Sequence, residues 1–346
     1  MGVRHAALED VDRMRSRWRE RRVLVTGATG MVGSWLVKAL LAEGSTVVAF
    51  VADADPQSEL IRSGDMERVE VVNGRLERFA DVQRAVNGRE VDTVFHLGAH
   101  TIVGTARRDP LGTFEANIRG TYHVLEACRR SAPLVKRLVV ASSDKAYGSQ
   151  RRLPYVENMP LEGREPYEVS KSCTDLLSQS YHHAYRVPVA VLRCGNIYGG
   201  GDLNWSRIVP GTIRSFLRGE RPVIRSDGRF VRDYLYVKDV VRACLAVAGR
   251  LDDPKVRGQA FNFSPQKPLT VLEVVSAIAK VMHAGPFKPR ILNDAPGEIR
   301  DQYLSASKAK RLLGWRPAYT LDKGLAETVA WYRAYFGRMG ASRQGG

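Results

Sequence analysis

Tyr167-Glu168-Val169-Ser170-Lys171 sets a phenol and an ammonium four residues apart, at the head of a run that continues through Ser178. On a helix the two side chains share one face and stand within a few ångströms of each other. A phenol titrates near 10, so half-ionising it at pH 7 costs roughly 4 kcal/mol, which a desolvated ammonium and a further cation can supply together. The pattern alone is weak evidence. With 13 Tyr and 12 Lys the chain holds such a pair by chance nearly as often as not, and a second one occurs at Tyr234 and Lys238. A surface contact on a helix is the plain alternative, and what lies upstream decides between them.

Arg22 to Thr26 is a short apolar run, followed by Gly27-Ala28-Thr29-Gly30-Met31-Val32-Gly33 and a helical stretch to Glu43, closed by Gly44. Strand, glycine-rich turn and helix in this order form a dinucleotide fingerprint, with backbone N–H groups at the helix N-terminus facing a pyrophosphate. Thr46 to Val51 predicts a second strand. Asp53 then falls about 20 residues after the glycines, where a carboxylate accepts ribose hydroxyls and repels a 2′-phosphate, favouring NAD over NADP; Asp55 is a near competitor. Further strands are expected over 69–72, 93–96 and 137–141, with helices over 77–87 and 111–131 between them. Apolar strands alternating with helices predict an α/β fold: a Rossmann-like, doubly wound parallel sheet covered on both faces, with a smaller C-terminal substrate-binding lobe.

The strand over 137–141 runs into Ala141-Ser142-Ser143-Asp144-Lys145-Ala146-Tyr147-Gly148. Ligands of an open α/β sheet sit at the carboxyl ends of its strands, so this polar cluster should face the cleft, with Ser143 lying 24 residues before Tyr167. From Gly27 to about Trp315 the chain resembles the extended short-chain dehydrogenase/reductases of the nucleotide-sugar epimerase and dehydratase group. The resemblance implies a Ser–Tyr–Lys triad at Ser143, Tyr167 and Lys171. It implies an NAD site at Gly27, Thr29, Gly30, Met31, Val32, Gly33, Asp53, Leu76, Leu97, Gly98, Ala99 and Asn117, with Tyr167 and Lys171. It also implies contacts to a sugar diphosphate from Asn196, in Arg193-Cys194-Gly195-Asn196, and Arg232, in Arg232-Asp233-Tyr234; this second element turns the Tyr234/Lys238 pair into a structural segment. Thr101, Arg207 and Arg300 join the substrate residues, the two arginines by position alone.

Ser143-Asp144-Lys145 is similar to the Thr/Ser-Asp-Lys triplet of CDP-glucose 4,6-dehydratases, as are Gly33-Ser34-Trp35-Leu36 and the stretch Asp109 to Asn117. Gly228 to Val237 instead resembles 4-epimerases and dTDP-sugar dehydratases. Arg75 stands where the family usually has an Asp that meets adenine, and Gly98 where Ala is common. As a 4,6-dehydratase the chain would take an NDP-hexose to its 4-keto-6-deoxy form: Tyr167 accepts the 4-hydroxyl proton as C4 is oxidised, Lys145 takes the C5 proton, and protonated Asp144 releases the 6-hydroxyl as water. Lys145 fits this role if burial and nearby Lys171 depress its pKa. A 4-epimerase of the UDP-glucose or UDP-glucuronate type needs only Ser143, Tyr167 and Lys171, and leaves Asp144 and Lys145 as a salt bridge at a strand end. A catalytically inactive NAD-binding regulator is a remote third reading, since such proteins typically lack the Tyr and Lys pair.

At 346 residues with 44% apolar and 26% charged residues, the chain has the make-up of a soluble globular protein with no membrane span. The formal charge of +16 comes from 41 Arg and 12 Lys scattered without a run of five, which argues against nucleic-acid binding. Cys128, Cys173, Cys194 and Cys244 show no metal or disulfide spacing and predict reduced cytoplasmic thiols; the seven His lack supporting ligands, so no metal site is expected. The expected layout is an N-terminal helical extension over 1–20, an NAD-binding domain over 21–195 with returning segments at 234–264, and a nucleotide-sugar lobe over 196–233 and 265–340. The helices over 111–131 and 170–186 resemble those through which the family forms homodimers.

Overall fold

The computed structural model describes residues 18–295 and 297–341; the extension before Trp18 lies outside them. Seven parallel strands form one sheet in the order Ala260–Phe263, β6 (Val189–Cys194), β5 (Arg137–Ala141), β4 (Thr93–His96), β1 (Arg22–Thr26), β2 (Thr46–Val51) and β3 (Glu70–Asn73). The strand order reverses between β1 and β4, which opens a crevice at their carboxyl ends. Because both faces are covered, these strands are apolar throughout rather than alternating. One face packs Val23, Val25, Leu36, Val37 and Leu40 with Val240, Cys244 and Phe261; the other packs Leu24, Val48, Val94, Val124 and Leu138. Trp18 is buried on the first face, against Phe95.

The helix expected over 111–131 is in fact three pieces: Pro110–Phe114, a π turn at Glu115–Arg119, and Gly120–Arg130. Asn117 explains the break. Its carbonyl accepts the hydroxyls of Thr121 at 2.5 Å and Thr174 at 3.2 Å, and so is diverted from the regular backbone ladder.

The lobe is a small helical core. Helices Ile208–Leu217, Val271–Met282 and Leu321–Ala341 bury Ile213, Val274, Ile278, Leu325, Val329 and Tyr332 together. Its boundaries differ from the sequence expectation in two places. Ala306, Ala309 and Trp315 pack on the sheet, with Trp315 edge-on to Phe263 at 4.9 Å, so this part of 265–340 belongs to the larger domain. Tyr234–Tyr236 pairs with β7 (Asn196–Tyr198) in a separate two-stranded ribbon, while the helix Val237–Ala248 and the strand Ala260–Phe263 return to the sheet.

Candidate active site

A cleft of 1410 Å³ runs along the strand ends and out under the lobe. Its dinucleotide end is built from backbone. Gly27, with φ +69°, leaves β1 so close to β4 that a Cβ on it would lie 2.8 Å from the Gly98 Cα. A Cβ on Gly33 would collide with the Gly27 carbonyl, and one on Gly98 would meet Leu76 Cδ1 at 2.9 Å. An Ala at Gly98, common at this position, would need the end of the Leu76 side chain to move aside. Gly30 caps the helix Met31–Ala42 without a side-chain bond, leaving the N-terminal amides to a ligand. Thr29, Gly30, Met31, Val32, Leu97 and Ala99 line this end, as do Asp53 and Asp55. Asp55 is engaged by the Gln57 amide at 2.8 Å, which makes Asp53 the better ribose acceptor. This cradle fits a dinucleotide. Asn117 does not line it: its side chain accepts from the His100 amide at 2.7 Å and donates to the Ser170 hydroxyl at 2.9 Å, holding the Tyr167 helix in place. Arg75, exposed, is likewise outside the cleft. Beneath the cradle His96 bonds Thr26 and Thr121, and burial followed by the Lys171 charge lowers it to about 3, so it is a neutral structural group.

The catalytic end joins β5 to helix Pro166–Tyr185. Pro166 at the first turn and the reciprocal Glu165/Glu168 capping box fix where that helix begins. Tyr167 and Lys171 then point into the cleft from one face, beside Ser143. Lys171 Nζ donates to the Ala141 carbonyl at 2.8 Å, and burial lowers it to about 8. Burial pushes Tyr167 up to about 12, while the Ser143 hydroxyl and then the Arg207 guanidinium pull the other way. The cation that favours the Tyr167 phenolate here is the Arg207 guanidinium, while the Lys171 head is turned to a backbone carbonyl.

Ser143 caps a turn of 3-10 helix, Asp144–Tyr147, and donates to Asp144 Oδ1 at 3.0 Å. Asp144 is 4% exposed, which rules out a surface salt bridge. Burial raises its pKa against the pull of Lys145, Ser143 and Arg232; burial lowers Lys145, and the cation that adds to this is Arg232 rather than Lys171.

On the sugar side Arg207 is half-exposed, paired with Asp202 at 3.1 Å and within 3.4 Å of the Thr101 hydroxyl. Asn196 lines the cleft, with a buried Nδ2 that has no partner among the described residues, as a ligand-directed amide would. Arg232 is buried and lines the cleft, donating to the carbonyls of Val231, Ile299 and Arg300, with Glu298 at 4.0 Å. Arg300 does not join the substrate residues by its side chain, which is exposed and off the cleft. Its backbone runs beside Val231–Arg232 through the strand Asp301–Gln302, so it contributes a carbonyl that orients Arg232. Arg107, Arg214, Arg225 and Glu298 also line the cleft and were missed, since nothing local in the sequence marks them.

One buried cluster had a sequence signal that went unread. Arg193, next to Cys194 in the motif quoted for Asn196, forks onto Asp175 at 2.6 and 2.9 Å and donates to the Tyr147 hydroxyl at 2.7 Å. Tyr147 in turn donates to Asn262 at 2.8 Å. The turn bearing Asp144, the helix bearing Tyr167, β6 and the sheet's edge strand are thereby joined. Among the described residues no metal-binding cluster occurs, and no helix is long and apolar enough to cross a membrane.

Comparison with known proteins agrees with this geometry. A CDP-glucose 4,6-dehydratase of Salmonella typhimurium is 29% identical over 336 residues, covering 92% of each chain. A dTDP-glucose 4,6-dehydratase of Streptomyces griseus is 32% identical, covering 90% of this chain and 94% of its own. A UDP-glucose 4-epimerase of Thermotoga maritima, solved with UDP-glucose, superposes with a TM-score of 0.83 at 28% identity, over 91% of this chain and 99% of its own. The model of the NAD dependent epimerase/dehydratase family matches residues 23–263, from β1 to the last strand of the sheet. With the glycine cradle, the Ser143–Tyr167–Lys171 group and this match in agreement, the chain belongs to the NAD dependent epimerase/dehydratase family.

Proposed function

We propose that the protein is a nucleotide-sugar 4,6-dehydratase, a lyase that converts an NDP-hexose to the NDP-4-keto-6-deoxyhexose. The observation that carries this reading is Asp144, buried at the cleft, with the half-buried Lys145 beside it, where an epimerase needs neither. NAD supplies the hydride acceptor at C4 and the hydride returned to C6. Tyr167, oriented by Ser143, takes the proton of the 4-hydroxyl once its own has been lost, and Lys171 meets the cofactor ribose. The resulting 4-ketone acidifies the C5 hydrogen. Lys145, whose proton is loosened by burial and by Arg232, removes it, and Asp144, whose protonated form burial favours, protonates the departing 6-hydroxyl. Arg207, Arg232, Asn196 and Thr101 hold the sugar diphosphate. A homodimer is the assembly this reading carries with it, through the helices Pro110–Phe114, Gly120–Arg130 and Pro166–Tyr185, whose Leu111, Leu176 and Tyr185 are exposed.

Incubating the protein and NAD with CDP-, UDP-, dTDP- and GDP-hexoses and weighing the products tests the assignment. Loss of one water from one of them, abolished by Asp144→Asn, is the expected result. Unchanged mass with inversion at C4 would instead make the chain a 4-epimerase, the activity of the Thermotoga maritima relative.

A further inference from the structure

The turn Asp144–Tyr147, which carries both Asp144 and Lys145, is tied at each end to a different part of the molecule. At its far end the Ser172 hydroxyl donates to the Ala146 carbonyl at 2.9 Å, and the Tyr147 hydroxyl lies between Arg193 and Asn262, so that end belongs to the catalytic helix and the sheet. At its near end the donor is Gln302. Its Nε2 reaches the backbone carbonyl of Asp144 at 3.0 Å, the side chain is wholly buried, and its Oε1 has no partner among the described residues. Gln302 stands in the strand Asp301–Gln302, parallel to Val231–Arg232 and directly opposite Arg232. The two residues before that strand, Ile299 and Arg300, give their carbonyls to the Arg232 guanidinium. Just after it the Tyr303 carbonyl accepts the Tyr155 amide and the Ser305 amide donates to the Tyr155 carbonyl, each at 2.9 Å, so the strand is gripped on both sides.

We infer that Gln302 is a positioning residue for the loss of water: it holds the peptide between Asp144 and Lys145 at a set place relative to Arg232, and so keeps acid and base in register with a sugar gripped by its diphosphate. The inference rests on the dehydratase reading. The bonded carbonyl is part of the planar peptide that joins the two residues, and the N–H of the same peptide, on Lys145, donates to the Ser143 hydroxyl at 3.2 Å. Bonds at both its ends fix the peptide plane, and with it the directions in which the two side chains leave. A buried carbonyl that loses its donor turns to find another, and the plane turns with it. Oxidation at C4 does not lean on Gln302. The Ser142 amide donates to the Leu192 carbonyl at 2.8 Å and its hydroxyl to the Lys171 carbonyl at 3.2 Å, which ties the approach to Ser143 to β6 and to the helix bearing Tyr167.

The test is Gln302→Met, which keeps the length of the side chain and removes its donor, assayed with NAD and whichever of the CDP-, UDP-, dTDP- and GDP-hexoses loses water with the wild type. Oxidation at C4, with the hydride passing to NAD and the 4-hydroxyl proton to Tyr167, should keep its wild-type rate. Loss of water, in which the C5 proton goes to Lys145 and the 6-hydroxyl leaves with the proton of Asp144, should slow at least about tenfold, as a displaced reacting group would make it. Reduced nicotinamide absorbance should therefore appear in a single turnover and persist in the variant, and kcat should fall while the KM for the nucleotide sugar stays within about twofold. Gln302→Asn, one methylene short of the carbonyl, keeps a buried amide if the Met variant does not fold, and should show the same split. Water loss at the wild-type rate in a folded variant, or oxidation at C4 slowed as much as water loss, overturns the inference while the dehydratase reading stands. If no hexose nucleotide loses water with the wild type, the reading and the inference fall together.

Discussion

The two ends of the cleft are made differently. The dinucleotide end is backbone from one continuous stretch, 27–33, pressed against Gly98 just beyond the neighbouring strand; the sugar end is side chains delivered by segments around 101, 143–145, 196, 207 and 232. At the first, steric exclusion fixes the geometry and hardly any substitution is tolerated. At the second, charged groups share the load and the loss of one is softened by its neighbours. A shared fold with a common cofactor but several sugar chemistries is what such a division allows.

The comparison is sharpest at Gly33. Gly33→Ala should abolish NAD retention, a loss of more than about a hundredfold in affinity, since the added methyl has only the Gly27 carbonyl to displace; isothermal titration with NAD measures it. Retained affinity would mean that the cradle is soft and the contrast false.

Between the two ends, Lys171 tests whether catalysis has been built at a cost to the fold. Its pKa is lowered from 10.5 to about 8 by burial. Below pH 8 both folded and unfolded chains hold the proton, and the buried ammonium costs about 3 kcal/mol. Between pH 8 and 10.5 the unfolded chain binds more protons, so stability rises with pH and the cost disappears. Lys171→Met should therefore be inactive yet more stable at pH 7 by about 2 kcal/mol, after allowing about 1 kcal/mol for the lost Ala141 hydrogen bond. Urea unfolding across pH 7 to 10.5 should show the rise in the wild type and its absence in the variant.

The smallest effect separates two arginines that look alike in the sequence. Arg207→Ala should raise the KM for the nucleotide sugar about tenfold, as a half-exposed cation near a diphosphate would, whereas Arg300→Ala should change it by less than about twofold, because its useful group is a carbonyl. Equal effects would show that the sugar end recruits its cations by charge alone.

What was legible in the sequence follows the same division. β1, β2, β4 and β5 fall at the expected residues, and the glycines, Ser143, Tyr167 and Lys171 line one cleft, because a strand, its turn and the next helix are local and their periodicity carries the information. Asn117 lies off the cleft because its side chain is spent on the His100 amide and the Ser170 hydroxyl of the helix behind, partners that its local sequence does not show. Arg300 was misplaced because only the pairing of two distant strands reveals that its carbonyl, not its guanidinium, faces inward.

The Arg193 fork onto Asp175 has a consequence for how the molecule opens. A guanidinium and a carboxylate with side-chain exposures of 3% and 0% cannot separate without stranding a charge away from water, at a cost of about 3–5 kcal/mol. The turn carrying the acid, the helix carrying the phenol and two strands of the sheet are bolted by that pair into a single cooperative unit. Amides of β6 and of the middle of Pro166–Tyr185 should therefore exchange with solvent together, and late, while the lobe helices breathe around them.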